Sequence, residues 1–291
     1  MTILAITHVT TYRYARPVAF GEHRMMLRPR DDGDQRILQS ELEITPEPRA
    51  LDWSRDAFGN HVAIAQFAER AAELSFVSTI RLVHDAAEFR AGDIEPYART
   101  CPFQYAAQDR PGLVKFMTPS PREAELERWT AQFFASDNRA DTHDLLVGMT
   151  KTIKRTFKHV ARHEKGIQSP AQTLSCGSGS CRDVAVLMIT ALRSRGIAAR
   201  FVSGYMKFGG DDDAAPAGGN THAWVQAYVP GPGWVDFDPS AGIIGNENLV
   251  RVAVVDHPRE AIPLQGTWFG SAADHVAMNV AVKVTAAARA A

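Results

Sequence analysis

The stretch "TLSCGSGSCRDVAVLMITALRSRG" (Thr173–Gly196) sets Cys181 at the head of an apolar repeat with helical period. Val184, Leu187, Met188, Ala191 and Leu192 recur at i, i+3, i+4, i+7 and i+8, the stripe of an amphipathic helix. Ser180 is a suitable N-cap, Asp183 an acidic residue of the first turn, and Gly196 a C-terminal stop behind Arg193 and Arg195. Cys181 is therefore expected beside unpaired backbone N–H groups and the positive end of the helix dipole. That position lowers a thiol pKa and offers donors to a developing oxyanion. The preceding "GSGS" allows close backbone approach to a substrate.

A thiolate nucleophile needs a base, and the base needs a group that fixes its tautomer and stabilises its cation. "THAWVQAYV" sets His222 on a strand, and "GWVDFDPSAG" sets Asp236 and Asp238 on the next one, behind a "PGPG" turn suited to a hairpin. Neighbouring antiparallel strands would bring His222 beside one of the two carboxylates. Asp236 and Asp238 alternate onto the same face, so periodicity does not choose between them. Asp238 precedes Pro239 at the strand end, where a side chain can reach the edge of a site.

The remaining elements must position these groups. Up to residue 105 the chain is mostly strand-like: "THVTTYRY", "HRMMLRPR", "LQSELEITPEP", "NHVAIAQFA" and "LSFVSTIRLVH", separated by turn residues such as Asp32-Gly33 and Gly59-Asn60. Residues 106–121, with Pro111, Gly112, Pro119 and Pro121, are expected to be a linker to a second domain at 122–291. Helical period follows at Arg122–Phe134 and Thr142–His159, where Leu145, Leu146, Met149, Ile153 and Phe157 make one apolar face. After Gly196 the pattern returns to strands, interrupted by the polar loop "GGDDDAAPAGGN", and "HVAMNVAVKVT" closes the chain as a strand.

Three segments together, "GSCRDVAVLMITALRSRGIAARFVSGY", "HAWVQAYVPGPGWVDFDPS" and "ITHVTTYRYARPVAFGEHRMMLRPR", resemble bacterial transglutaminase-like proteins. The resemblance implies an α+β fold, a papain-like transglutaminase core preceded by a β-sandwich-like N-terminal domain. It further implies a Cys–His–Asp triad of Cys181 as nucleophile, His222 as base and Asp238, the aspartate of "FDPS", as orienting acid. Asp236 falls where the motif is variable. The implied reaction is acyl transfer from an amide through a thioester, ending in peptide or isopeptide hydrolysis, with amine transfer as the alternative. A catalytically silent binding or scaffold module is the competing class; the presence of all three triad residues argues against it.

Other features are weighed against simpler roles. Gln168 and Gln172 are candidates for a second oxyanion donor but are more at home in a loop. Trp224 either shields the triad or packs. Cys176 and Cys181 lack the second ligand pair of a zinc site, and Asp211–Asp213 lack the alternation of a calcium loop, so no metal and no cofactor is expected. Arg182 and Asp183 are explained by helix capping and a surface ion pair, Cys101 by structure, and His159 with most of the other histidines by surface or packing. A net charge of -1 speaks against nucleic-acid or anionic-membrane partners. Three cysteines in 291 residues give no disulfide framework, and no apolar run approaches the roughly 18 residues of a membrane span, so a cytoplasmic setting is expected. The expected partner is a peptide or protein substrate, which the N-terminal domain could present to the cleft.

Overall fold

The computed structural model describes residues 1–118, 124–162, 166–207 and 221–287. Its N-terminal part is built on β1 (Thr2–Met25), one 24-residue strand that merges the two partial patterns expected at Thr7–Tyr14 and His23–Arg30. Around it stand β2 (Gln35–Thr45), β3 (Ala50–Arg55), β4 (His61–Gln66) and β5 (Arg70–His84), in the order β2-β5-β1-β4-β3. The β-rich domain is thus one antiparallel seven-stranded sheet, completed by two strands from the far end of the chain. A strand this long can serve two cores. Leu4 and Ile6 enter the cluster that contains the central helix, whereas Tyr14, Val18, Phe20 and Met25 pack with Phe76, Leu74 and Ala63 in a second one.

Four longer helices follow: α1 (Ala124–Ala131), α2 (Thr142–Thr156), α3 (Pro170–Cys176) and α4 (Cys181–Ser194). The second sheet consists of β6 (Ala199–Met206), β7 (His222–Val229), β8 (Gly233–Asp238), β9 (Ile243–Ile244) and β10 (Leu249–Val255), ordered β9-β8-β7-β6-β10. Leu187 and Met188 of α4 are fully buried in one cluster with Phe201, Val225 and Phe237 of that sheet and Leu146 of α2. Truncating Leu187 to Ala would cost about 2–5 kcal/mol, the usual effect of opening a buried cavity. Gly204 of β6 is required by close approach: a Cβ there would lie 2.0 Å from Val250 O and 2.7 Å from the Trp224 ring.

The chain then returns to its beginning. Strands β11 (Leu264–Phe269) and β12 (His275–Ala287) both pair with β1, β12 in register from Ile3↔Ala287 to Arg13↔Ala277 and shifted by one residue at Tyr14↔His275. The closing strand expected from alternation is present, but it lies in the N-terminal sheet, so sheet membership does not follow a boundary at residues 106–121. The start of that segment is itself packed rather than free. Tyr105, Leu113, Phe116 and Ala198 form a small core, and the Tyr105 hydroxyl accepts from Ala198 N and donates to Tyr228 O, each at 2.9 Å.

Two side-chain amides seal the sheets together. The edge of β10 facing the N-terminal domain would otherwise leave backbone groups unpaired. Gln35 donates to Arg251 O at 2.7 Å and accepts from Arg251 N at 3.0 Å; Asn60 does the same to Val254, at 2.8 and 2.9 Å. Each amide imitates one residue of a neighbouring strand. Gly59-Asn60, expected only as a turn, is therefore also an interdomain peg, with Asn60 fully buried.

Candidate active site

Cys181 is the first residue of α4, where its N–H has no helical partner four residues back. Ser180 caps the helix, as the sequence predicted, and also forms a reciprocal box with Asp183. Asp183 does more than cap. Fully buried, it accepts from Ser180 N and Oγ at 2.8 Å, from Gln168 N at 2.8 Å, and from the Arg162 guanidinium at 3.0 Å. Burial alone would raise its pKa; these donors outweigh it and hold the carboxyl below the usual range. One carboxylate thereby ties the upstream loop to the turn that carries the thiol.

His222 opens β7, and Asp238 closes β8. The two strands run antiparallel with Val225 opposite Phe237, and continuing that register sets Asp238 opposite Trp224 and diagonal to His222. His222 Nε2 donates to Asp238 Oδ2 at 2.6 Å, which leaves Nδ1 as the ring nitrogen free to serve the thiol. The other carboxylate oxygen accepts from Ser240 N and Oγ at 2.8 Å and from Ala241 N at 3.1 Å. Asp238 is completely buried, yet its pKa is lowered: the hydrogen bond and charge of His222, then Ser240 and Ala241, outweigh desolvation.

The thiol is partly buried, and two imidazoles, His159 and His222, favour its ionised form. Burial opposes ionisation, but hydrogen bonds from His159 and His222 and the His222 charge bring Cys181 from 9.0 down to about 6. Burial likewise opposes charging His222, and the bonds to Asp238 and Cys181 raise it to about 10. Between those values the pair is a thiolate beside an imidazolium. His159 has no motif context in the sequence. Lys158–His159 forms a two-residue parallel pair with Ser178–Gly179, which brings the histidine to the turn before Cys181. Only this tertiary pairing reveals it; nothing in the local spacing could.

The neighbouring candidates separate clearly. Asp236 does not reach His222; it accepts from Trp224 Nε1 at 2.6 Å, Gln226 Nε2 at 3.1 Å and Arg251 Nη1 at 2.9 Å. Trp224 is fully buried and stacks on the His222 ring, centroids 6.0 Å apart at 25°. It packs beneath His222. Gln172 commits its side chain to the cap of α3, accepting from Ser169 N at 2.9 Å. Gln168 stands closer to the turn before Cys181: its Oε1 would be 3.2 Å from a Cβ on Gly179 and accepts from Thr173 Oγ1 at 3.2 Å. Cys176 is exposed at the end of α3, and Cys101 is buried with its thiol pushed up to about 11 by desolvation. Arg182 donates to Ala261 O at 3.0 Å, and its guanidinium sits 5.7 Å from the centre of the Phe201 ring. Asp211–Asp213 lie outside the described residues. Among the described residues no helix is long and apolar enough to cross a membrane.

Comparison with known proteins agrees with this layout. Residues 4–82 match the bacterial transglutaminase-like N-terminal region, and residues 134–239 match the core of the transglutaminase-like superfamily. An uncharacterized protein of Mycobacterium leprae is 24% identical, over 97% of this chain and 98% of its own length. An uncharacterized Mycobacterium tuberculosis protein is 26% identical, over 96% of this chain and 91% of its own. Among solved structures, a proposed cysteine protease from Cytophaga hutchinsonii superposes with a TM-score of 0.73 at 19% identity, covering 98% of this chain and 90% of that one. That similarity establishes a shared fold. With the N-terminal region and the core both matched in order along one chain, this protein belongs to the bacterial transglutaminase-like family.

Proposed function

We propose that this protein performs thiol-dependent acyl transfer on amide bonds, with hydrolysis of a peptide or isopeptide bond as the overall reaction. Cys181 is the nucleophile, His222 the proton carrier and Asp238 the orienting acid. The observation that carries this reading is the 2.6 Å hydrogen bond of His222 to the buried Asp238, together with a Cys181 thiol at the first residue of a helix and lowered to about 6. The Cys181 thiolate attacks the amide carbon, and the oxyanion is received by the Cys181 N–H with the Gln168 side chain as our candidate second donor. As the C–N bond breaks, His222 gives its proton to the departing amine and a thioester remains. His222 then takes a proton from water as its oxygen attacks the thioester; the C–S bond breaks, the acid leaves, and the thiolate–imidazolium pair is restored. A primary amine in place of water would yield a new amide. His159 contributes a second hydrogen bond to the thiolate. The mechanism needs a reduced Cys181, and we assign the chain to the cytoplasm, where its three unpaired thiols would persist.

The test is alkylation against pH with peptide mapping, on the wild type and on His222→Ala. Cys181 should label well below pH 8 in the wild type and lose that advantage in the variant, with Cys176 and Cys101 as internal references. Cys181→Ala should keep the fold and lose all turnover; labelling of Cys181 no faster than Cys176 in both proteins would support a silent binding module instead. Adding a primary amine to a cleaved amide substrate separates hydrolysis from amine transfer by the product formed.

A further inference from the structure

At one corner of the N-terminal sheet two side-chain nitrogens, Arg28 Nε and His61 Nε2, are buried without a hydrogen-bond partner among the described residues. Buried polar groups are nearly always paired, so two orphans in one neighbourhood call for a reason. Their surroundings follow from strand register. Strand β3 ends its side of the sheet and pairs with β4, Arg55 opposite His61 and Trp53 opposite Ala63. Directly opposed residues point to the same side of a sheet, and so do residues two apart on one strand. Trp53, Arg55 and His61 therefore stand on one face. Arg28, just past the end of β1, sets its guanidinium 5.9 Å from the centre of the Trp53 ring. Trp53 is 44% exposed, and Arg55 is exposed beside it.

The charge at this corner is mostly positive. Arg30 also approaches His61, but its guanidinium is committed: it pairs with Asp32 at 2.6 Å and donates to Phe58 O and Asn60 Oδ1. Arg55 gives one N–H to Gly59 O at 3.0 Å. Among the described residues no carboxylate pairs with Arg28 or Arg55. Asp31, on the exposed turn after β1, is the acid whose charge reaches His61. Burial first, and then Arg55, Arg28 and Arg30, hold His61 down to about 4 against Asp31. The ring is thus neutral near pH 7 and offers a hydrogen bond between two uncommitted guanidinium groups.

We propose that this corner binds an organic phosphate, with its oxygens held by Arg28, Arg55 and His61 and its organic part lying against Trp53. A planar guanidinium fork matches a pair of anionic oxygens. One fork satisfies a carboxylate; two forks and an imidazole suit a phosphate, which has three terminal oxygens and up to two charges. The exposed indole beside them gives the group that carries the phosphate a flat apolar surface. None of these residues acts on the thiol, so occupancy leaves the chemistry at Cys181 unchanged.

The experiment titrates inorganic phosphate, phenyl phosphate and benzoate into the full chain at constant ionic strength. His61 is followed by NMR, its resonance assigned with His61→Gln, and binding by indole fluorescence. Phenyl phosphate should saturate and carry the His61 titration from about 4 toward its ordinary 6.5, because a bound anion favours the imidazolium. It should bind a few-fold more tightly than inorganic phosphate, and Trp53→Ala should erase that advantage while His61 still responds to both. Arg28→Gln should weaken both phosphates by about tenfold or more, the scale of a charge-assisted hydrogen bond, and Arg55→Gln, at an exposed position, should do the same. Alkylation of Cys181 at wild-type rate in these variants shows that the fold is intact. An unsaturable response of His61, or one that chloride reproduces at the same ionic strength, would overturn the site. Benzoate binding as tightly as phenyl phosphate would overturn the assignment to phosphate.

Discussion

Asp236 and Asp238 stand two residues apart on β8, both almost completely buried and both accepting several hydrogen bonds, yet their acidities move in opposite directions. Asp238 is held below its ordinary value, whereas burial pushes Asp236 up from 3.8 to about 6 against the hydrogen bonds of Trp224 and Gln226 and the charge of Arg200. The difference lies in who donates. Asp238 faces an imidazole that can carry a full charge, plus backbone N–H groups that come with no competing anion. Asp236 faces two neutral donors and Arg251, a cation shared with Asp34 and lying 3.7 Å from Asp32. A buried carboxylate is held ionised where a cation and backbone N–H groups face it without a rival carboxylate, and becomes a structural tie when its cation is divided among several carboxylates.

This contrast is broken most severely at Asp238. Asp238→Asn keeps the side-chain volume but puts an amide where the imidazole N–H and three further donors converge on two acceptor oxygens. The loss of kcat should reach about 10⁴-fold, as in triads whose acid is made neutral. The His222 titration should also fall, because the group that raises it is gone. Activity limited by the thiolate–imidazolium pair should rise through about pH 6 and decline near 10 in the wild type, and the alkaline limb should move downward in the variant. A pH–rate profile reads both effects. An unchanged alkaline limb would count against the Asp238–His222 link.

Asp236→Asn should cost far less rate, below about tenfold, because it touches the base only through Trp224. Its clearer effect is on stability. A carboxyl whose folded pKa is raised contributes its stability below the unfolded value and loses it as pH rises through the folded one. For Asp236 that window runs from about 3.8 to about 6. The variant, which does not titrate there, should gain on the wild type across that interval. Urea midpoints measured at both ends would show it; a gap between the proteins that stays constant with pH would contradict the shifted carboxyl.

Much of this site is legible in the sequence, and what is not shares one cause. The helix from Cys181, its Ser180 cap and its Asp183 box are local and follow from period and capping chemistry. The hairpin that joins His222 to Asp238 is also local, since "PGPG" joins the strands directly and Gly231 and Gly233 adopt positive φ. Alternation could not separate Asp236 from Asp238, because both occupy one face and the choice depends on strand register. The partners that the sequence hid are distant ones. β10 reads as an apolar strand interrupted only by Arg251, and all seven of its residues are buried. Gln35 and Asn60, which bond to Arg251 and Val254, stand some two hundred residues before them in the chain. Their amides look like those of ordinary strand and turn residues until that edge is in place. The return of β12 to β1 is hidden for the same reason.

The smallest effect tests the thiol's other histidine. His159 reaches Cys181 through a two-residue strand pair, whereas His222 is backed by the Asp238 carboxylate. It is one of the groups that lower the thiol, so His159→Asn should move the acid limb of Cys181 alkylation to higher pH. The alkaline limb, set by His222 and Asp238, should stay where it is. The rate at neutral pH should fall only a few-fold, the worth of one hydrogen bond. The direction of the acid limb is the discriminating result. If His159 merely packed against the turn, the variant would change thermal stability and leave that limb in place; a shift on the acid side alone would show that the two histidines divide the work, one charging the thiol and the other moving the proton.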